Sequence, residues 1–261
     1  MSGASGPQTA TEQATRTTVG VGRRHRGGVV PTPTRAGLEE TAGRLVRLYA
    51  GLALYGTSAG LQLRAGLGLP PWDVLNQGVA RHAGLSIGTA SILIGALVLL
   101  LWIPLRQRPG LGTVSNVLLI GLSLDATLAL VPAPSSLWAR VPLLVLATAL
   151  CGLATGLYIS ARFGAGPRDG LMTGLHRRTG RSVRLVRTCI ELAVLATGFA
   201  LGGSVGVGTV FFAVAIGPLA QFSLRLFGPS GSRTVAGNTA VAAVAPVPVE
   251  TPAARPGTAS R

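Results

Sequence analysis

Apolar residues in this chain fall into runs too long for the core helices of a soluble domain. Six stretches of about 20 residues stand out, at approximately Leu45–Leu63, Ile87–Leu105, Thr113–Val131, Leu137–Ile159, Val183–Leu201 and Thr209–Phe227. That is the helix length a hydrocarbon layer of about 30 Å requires. Pro104, Pro132 and Pro142 fall near span ends, where a missing N–H is tolerated. The fifth stretch is the most polar, with Arg184, Arg187 and Glu191 in its first two turns. Arg187 and Glu191 are spaced to pair on one helix face, which lowers the cost of charge in an apolar setting. Two shorter segments, Pro70–Ala83 and Gly166–Thr179, carry Asp73, Asn76, Gln77, Arg81 and His82, or Asp169, His176, Arg177 and Arg178. They are too short and too polar to span, so they are expected to form re-entrant or interfacial helices.

The pattern is written twice. Residues 50–125 and 146–221 align without gaps at an offset of 96, with 24 identities among 76 positions. The shared string P-x-D-x-L-x-x-G-x-x-R-x-x-G-x-S runs from Pro71 to Ser86 and again from Pro167 to Ser182. Each copy holds three expected crossings, an odd number, so the second copy enters the membrane from the opposite side. An inverted pair of this kind is the plan of many secondary transporters. The expectation is an all-α polytopic membrane protein. It has six transmembrane helices in two inverted three-helix repeats, each with one short re-entrant or interfacial helix. The repeats occupy residues 44–131 and 132–228, flanked by disordered cytoplasmic tails at 1–43 and 229–261.

Charge fixes the orientation and removes one class of function. Charged residues are 12% of the chain and hydrophobic ones 48%, about half the charge of an ordinary soluble domain. The net charge of +15 is spread between apolar runs and tails. It does not form the single basic face that a nucleic-acid footprint needs. With the N-terminus inside, the cytoplasmic span ends collect thirteen arginines, among them Arg44, Arg106, Arg162, Arg177 and Arg225. The outer ends hold only Arg64, Arg81 and Arg140. The positive-inside rule then places both termini in the cytoplasm. The tail arginines Arg23, Arg24 and Arg26 are a secondary candidate for lipid contact.

Candidate chemistry concentrates in the duplicated motifs. Asp73 and Asp169 follow a proline at a helix start. They are read either as caps of short surface helices or as carboxylates dipping toward the midplane to bind a cation, a proton or an amine. Asp125 lies deep in the third span, opposite Gln221 in the second copy. Gly110-x-Gly112-Thr113 and Gly206-x-Gly208-Thr209 open the last span of each copy. They offer capped starts or N–H groups for an anion, with Thr113 and Thr209 as the side chains concerned. Gly56, Gly60, Gly152 and Gly156 form two G-x-x-x-G faces expected to pack spans one and four together. Trp72, Trp102 and Trp138 fit interfacial anchors. Cys151 and Cys189 sit in apolar runs, and His25, His82 and His176 are scattered. No catalytic constellation, metal site or cofactor is expected.

The string Gly68–Ser86, with Gly110-x-Gly112-Thr113 and the second copy of both, resembles the YczE/YyaS/YitT group of bacterial integral membrane proteins over roughly Arg44–Phe227. The YitT branch adds a cytoplasmic C-terminal soluble domain. Only a short low-complexity tail follows Phe227 here, so the resemblance is to the YczE-like branch. It implies a multi-pass plasma-membrane protein, linked in some members to secondary-metabolite production, and says little about substrate. The leading expectation is a secondary transporter, not an enzyme. Its site for an unknown small molecule or ion lies at the repeat interface, and Asp73, Asp169, Asp125, Thr113 and Thr209 are the candidate contacts. The alternative is a non-transporting accessory or scaffold protein. Expected partners are the lipid bilayer and a homo-oligomer.

Overall fold

The computed structural model describes residues 35–227; the tails expected before and after them, with Arg23, Arg24 and Arg26, lie outside the described residues. Among the described residues the chain is all-helical, with α1 (Arg35–Ala65), α2 (Pro71–Ala83), α3 (Ile87–Trp102), α4 (Leu111–Leu130), α5 (Leu137–Ser160), α6 (Pro167–Thr179), α7 (Val183–Ala200) and α8 (Val207–Phe227). The shared string punctuates these helices. Pro71 and Pro167 start α2 and α6, and Gly84 and Gly180 end them in the left-handed conformation. Ser86 then caps α3 by accepting the Thr89 N–H, and Ser182 caps α7 by accepting the Leu185 N–H. The result is a sharp reversal, with α2 and α3 meeting at 112°.

One boundary differs from the sequence pattern. Helix α1 begins at Arg35, inside the segment expected as tail, because the strong helix formers Leu38, Glu39, Glu40 and Ala42 extend it ahead of the apolar run. Pro142 lies in the second turn of α5, whose start at Leu137 is the expected one. It is still early enough in the helix that few i→i−4 bonds are affected.

Helix α1 packs along α5; α4 packs on α1 and α8 on α5, while α2 packs on α7 and α6 on α3. The G-x-x-x-G faces mediate contacts within each copy, not the α1–α5 contact expected from spacing. A Cβ on Gly56 or Gly60 would meet Ile120 or Thr127 of α4, and one on Gly152 or Gly156 would meet Leu219 or Ser223 of α8. At the α1–α5 crossing the close residue is Gly51, against the Tyr158 backbone. Small residues let backbones approach on any face that carries them, and spacing alone does not name the partner.

The solvent pattern is inside-out. Leu93, Leu97, Leu122, Val214 and Phe222 are exposed, whereas Ser58, Gln62, Asn76, Thr113 and Thr148 are buried. A water-facing protein rarely leaves so much apolar surface uncovered. Buried hydroxyls return to their own helix, as where Thr148 and Thr127 donate to the Leu144 and Ser123 carbonyls. Helices α4, α5 and α8 are long and apolar enough to cross a membrane, and α2 with α3 qualifies as one bent unit. These are the features of a helical membrane protein.

Candidate functional site: a cavity where the two proline–aspartate helices meet

The two copies exchange equivalent contacts. The Gly208 N–H donates to the Leu67 carbonyl at 2.8 Å, and the Gly112 N–H to the Phe163 carbonyl at 2.9 Å. These are the same bond with the copies reversed, since 208 and 163 are 112 and 67 plus 96. The start of each copy's last helix is thereby docked on the loop ahead of the other copy's proline–aspartate helix. Gly68 (φ +114°) and Gly164 (φ +119°) make this docking possible. Both occupy backbone conformations that disfavour a side chain, and a Cβ on them would meet the Thr209 or Thr113 hydroxyl at 2.9 or 3.1 Å.

This docking brings the starts of α2 and α6 together. The residues before the two aspartates stack, with the Arg168 guanidinium 4.8 Å from the Trp72 ring centre. Arg168 also lies 3.9 Å from Asp73 Oδ1. The N-cap residues Pro70 and Gly166 supply no side-chain cap bond, and Asp73 and Asp169 each lie in the first turn of their helix. Asp73 is buried and accepts from Asn76 Nδ2 at 3.2 Å. Asp169 accepts the Tyr158 hydroxyl at 3.2 Å.

Beside these groups lies a cavity of about 250 Å³, bordered by Trp72, Asn76, Tyr158, Arg168 and Asp169. Residues of α3, α4 and α8 also line it, as do Arg187 and Glu191 of α7. The latter two form the expected i,i+4 pair at 2.9 Å. Two buried polar atoms of cavity residues have no protein partner, Trp72 Nε1 and Asn76 Oδ1. Unpartnered groups at this depth cost free energy unless a ligand or water meets them.

The remaining candidates sit elsewhere. Asp125 accepts the Gly88 N–H at 2.8 Å and the Ser86 hydroxyl at 2.5 Å, holding the start of α3 against α4. Thr113 and Thr209 are at the third helical position and accept the Gly110 and Gly206 N–H groups, both at 3.2 Å. Thr113 also donates to the Ala165 carbonyl at 2.7 Å. All three hold the frame around the cavity and do not border it. Sequence reasoning passed over Asn76, Tyr158, Arg168 and Trp72 as site residues. The available signal was that Trp72 and Arg168 occupy equivalent positions beside the duplicated aspartates. The anchor reading of two tryptophans is corrected: Trp72 and Trp102 are buried, while Trp138 is 91% exposed. Trp102 packs against Gly170, where no Cβ would fit, and donates Nε1 to the Pro167 carbonyl at 3.1 Å.

Residues 42–225 match the sequence family described as Family of unknown function (DUF6198). The chain belongs to this family. Among its relatives, a Haemophilus influenzae protein described as uncharacterized is 43% identical over 175 residues, covering 67% of this chain and 80% of the relative. The Bacillus subtilis uncharacterized membrane protein YczE is 36% identical over 179 residues, 67% of this chain and 83% of its own length. The uncharacterized protein YyaS of the same organism is 27% identical over 169 residues, 62% and 84% of the two chains. No solved structure matches the chain.

Proposed function

We propose that this protein is a secondary transporter of the plasma membrane whose pathway runs through the cavity between its two copies. The observation that carries the reading is the meeting of α2 and α6, where Arg168 of one copy stacks on Trp72 and approaches Asp73 of the other. A polar centre made by the starts of two short helices, within an apolar exterior, is the usual anatomy of a transporter site. Carboxylates placed there are costly unless they serve a ligand or an ion. In this reading α1, α3, α4, α5, α7 and α8 are the six crossings, and the copies run in opposite directions. The reciprocal bonds of Gly112 and Gly208 support that arrangement, since equivalent contacts exchanged between two like units imply an approximate twofold axis. Both termini are then cytoplasmic, as the arginine distribution requires. The protein is not an enzyme in this account.

The test is flux in reconstituted vesicles across a panel of small ions, amines and organic acids. The account expects flux by the wild-type protein that falls at least ten-fold in Asp73→Asn and Asp169→Asn. An absence of flux across the whole panel would instead favour a non-transporting accessory role, with secondary-metabolite production as one setting for it.

A further inference from the structure

We infer that the central cavity binds an amphiphilic amine, which reaches it sideways through the gap between α7 and α8, with its ammonium group held by Asp169. This rests on the reading above in treating the cavity as the ligand site, and it names the ligand's class.

Charge argues for a cation. Four charged side chains border the cavity, Arg168, Asp169, Arg187 and Glu191. Both arginines are engaged, Arg187 with Glu191 and Arg168 with the neighbouring Asp73. Asp169 is left with one neutral partner, the Tyr158 hydroxyl, and no ion pair among the described residues. Three carboxylates against two arginines leave one negative charge for a ligand to balance. An anion would have to displace an acid from each guanidinium it approached. The unpartnered Asn76 Oδ1 adds an acceptor to the same cavity, and Trp72 Nε1 a donor.

Size and wall chemistry argue for an organic body rather than a bare ion. About 250 Å³ is far more than a dehydrated metal needs, and no group of three or more metal-ligating side chains exists among the described residues. The α8 lining is apolar, with Phe212, Ile216 and Gly217, whereas α7 contributes Arg187 and Glu191. One end of the ligand meets carboxylates and the other hydrocarbon.

The route follows from a difference between the copies. Helix α3 packs along α4, but α7 and α8 make at most marginal contact. A Cβ on Gly121 of α4 would strike the Gly88 carbonyl at 2.6 Å, whereas one on the equivalent Gly217 of α8 meets nothing within 4 Å. The open pair borders the cavity directly, through Arg187 and Glu191 on one side and Gly217 on the other. In a bilayer that gap faces acyl chains, where an amphiphile's apolar body already resides.

The experiment measures binding of n-octylammonium to the whole chain in lipid nanodiscs, against empty nanodiscs to remove partitioning, with n-octanoate and methylammonium as comparison probes. Saturable binding of one octylammonium per chain is expected, with both comparison probes at least ten-fold weaker. Asp169→Asn should lose at least ten-fold in octylammonium affinity. Gly217→Phe, placed where the helix has open space, should fill the gap and weaken octylammonium more than methylammonium. Octanoate binding as tight as octylammonium, no saturable binding above empty discs, or indifference to either variant would overturn the inference. Flux of another solute without octylammonium binding would reject the ligand class and leave the transporter. Octylammonium binding without flux of any solute would do the reverse.

Discussion

Helices α3 and α4 close on each other, whereas α7 and α8, their equivalents in the second copy, stand apart. In the first pair Gly88 and Gly121 bring two backbones together, and Asp125 bonds across the contact to Ser86 and Gly88. The second copy keeps Ser182 and Gly217 but has Arg184 in place of Gly88 and Gln221 in place of Asp125. A long cation cannot occupy the slot a hydrogen left, so the α3–α4 packing cannot be repeated there. The comparison teaches that duplication supplied the frame, while the second helix pair lacks both the glycine and the carboxylate that hold the first together.

A compensating exchange occurs at the α2–α7 and α3–α6 contacts. Trp102 of α3 fills the space over Gly170, and in the mirrored contact Gly198 of α7 receives the Val74–Leu75 backbone. Trp102→Ala would empty the first contact and remove the bond to Pro167. Thermal or denaturant unfolding in detergent should show a loss of about 3–5 kcal/mol. Trp138→Ala, at an exposed ring, should stay within about 0.5 kcal/mol.

The glycine pair sharpens the comparison next. Gly121→Ala drives a Cβ into the Gly88 carbonyl and should cost about 1–3 kcal/mol in the same assay. Gly217→Ala meets no other helix, and with Pro218 following it, which disfavours a helical Cβ-bearing residue, it should cost no more than about 1 kcal/mol. Equal losses for both would show that the α7–α8 gap closes in solution.

Asp125→Asn keeps an acceptor for Gly88 but removes its charge, and a loss of about 1 kcal/mol is expected. Gln221→Ala, on the open pair and exposed, should change unfolding by less than about 0.5 kcal/mol. The smallest effect belongs to the half-exposed Arg187–Glu191 pair. Arg187→Gln should cost no more than about 0.5 kcal/mol of stability, while altering the cavity edge enough to register in ligand affinity.

Much of this frame was legible in the chain because its signals are local. Apolar runs gave the long helices, and Pro71, Gly84 and Ser86 with their copies gave the start, stop and restart of the short ones. The Arg187–Glu191 pair followed from its i,i+4 spacing. What spacing could not convey were partners remote in sequence. Gly56 and Gly60 face α4 rather than α5, and Trp102 finds its slot at Gly170 rather than at a lipid interface. The site was half legible for the same reason. Duplication singled out Asp73 and Asp169, but Asn76 joins Asp73 from one turn along α2, Tyr158 reaches Asp169 from α5, and Arg168 comes to Asp73 from the other copy. Asp125 drew notice as a charge in an apolar run, yet its bonds to Ser86 and Gly88 make it a fastener.

The central claim is that the two copies are one unit in opposite orientations, and a labelling measurement tests it directly. Ala83 and Thr179 are equivalent, exposed ends of α2 and α6. In a background with Cys151 and Cys189 replaced, Ala83→Cys and Thr179→Cys are treated singly with a membrane-impermeant maleimide, on intact cells and on inverted vesicles. The account predicts that Ala83→Cys reacts from outside and Thr179→Cys only from the cytoplasmic face. Reaction of both from the same face would contradict it.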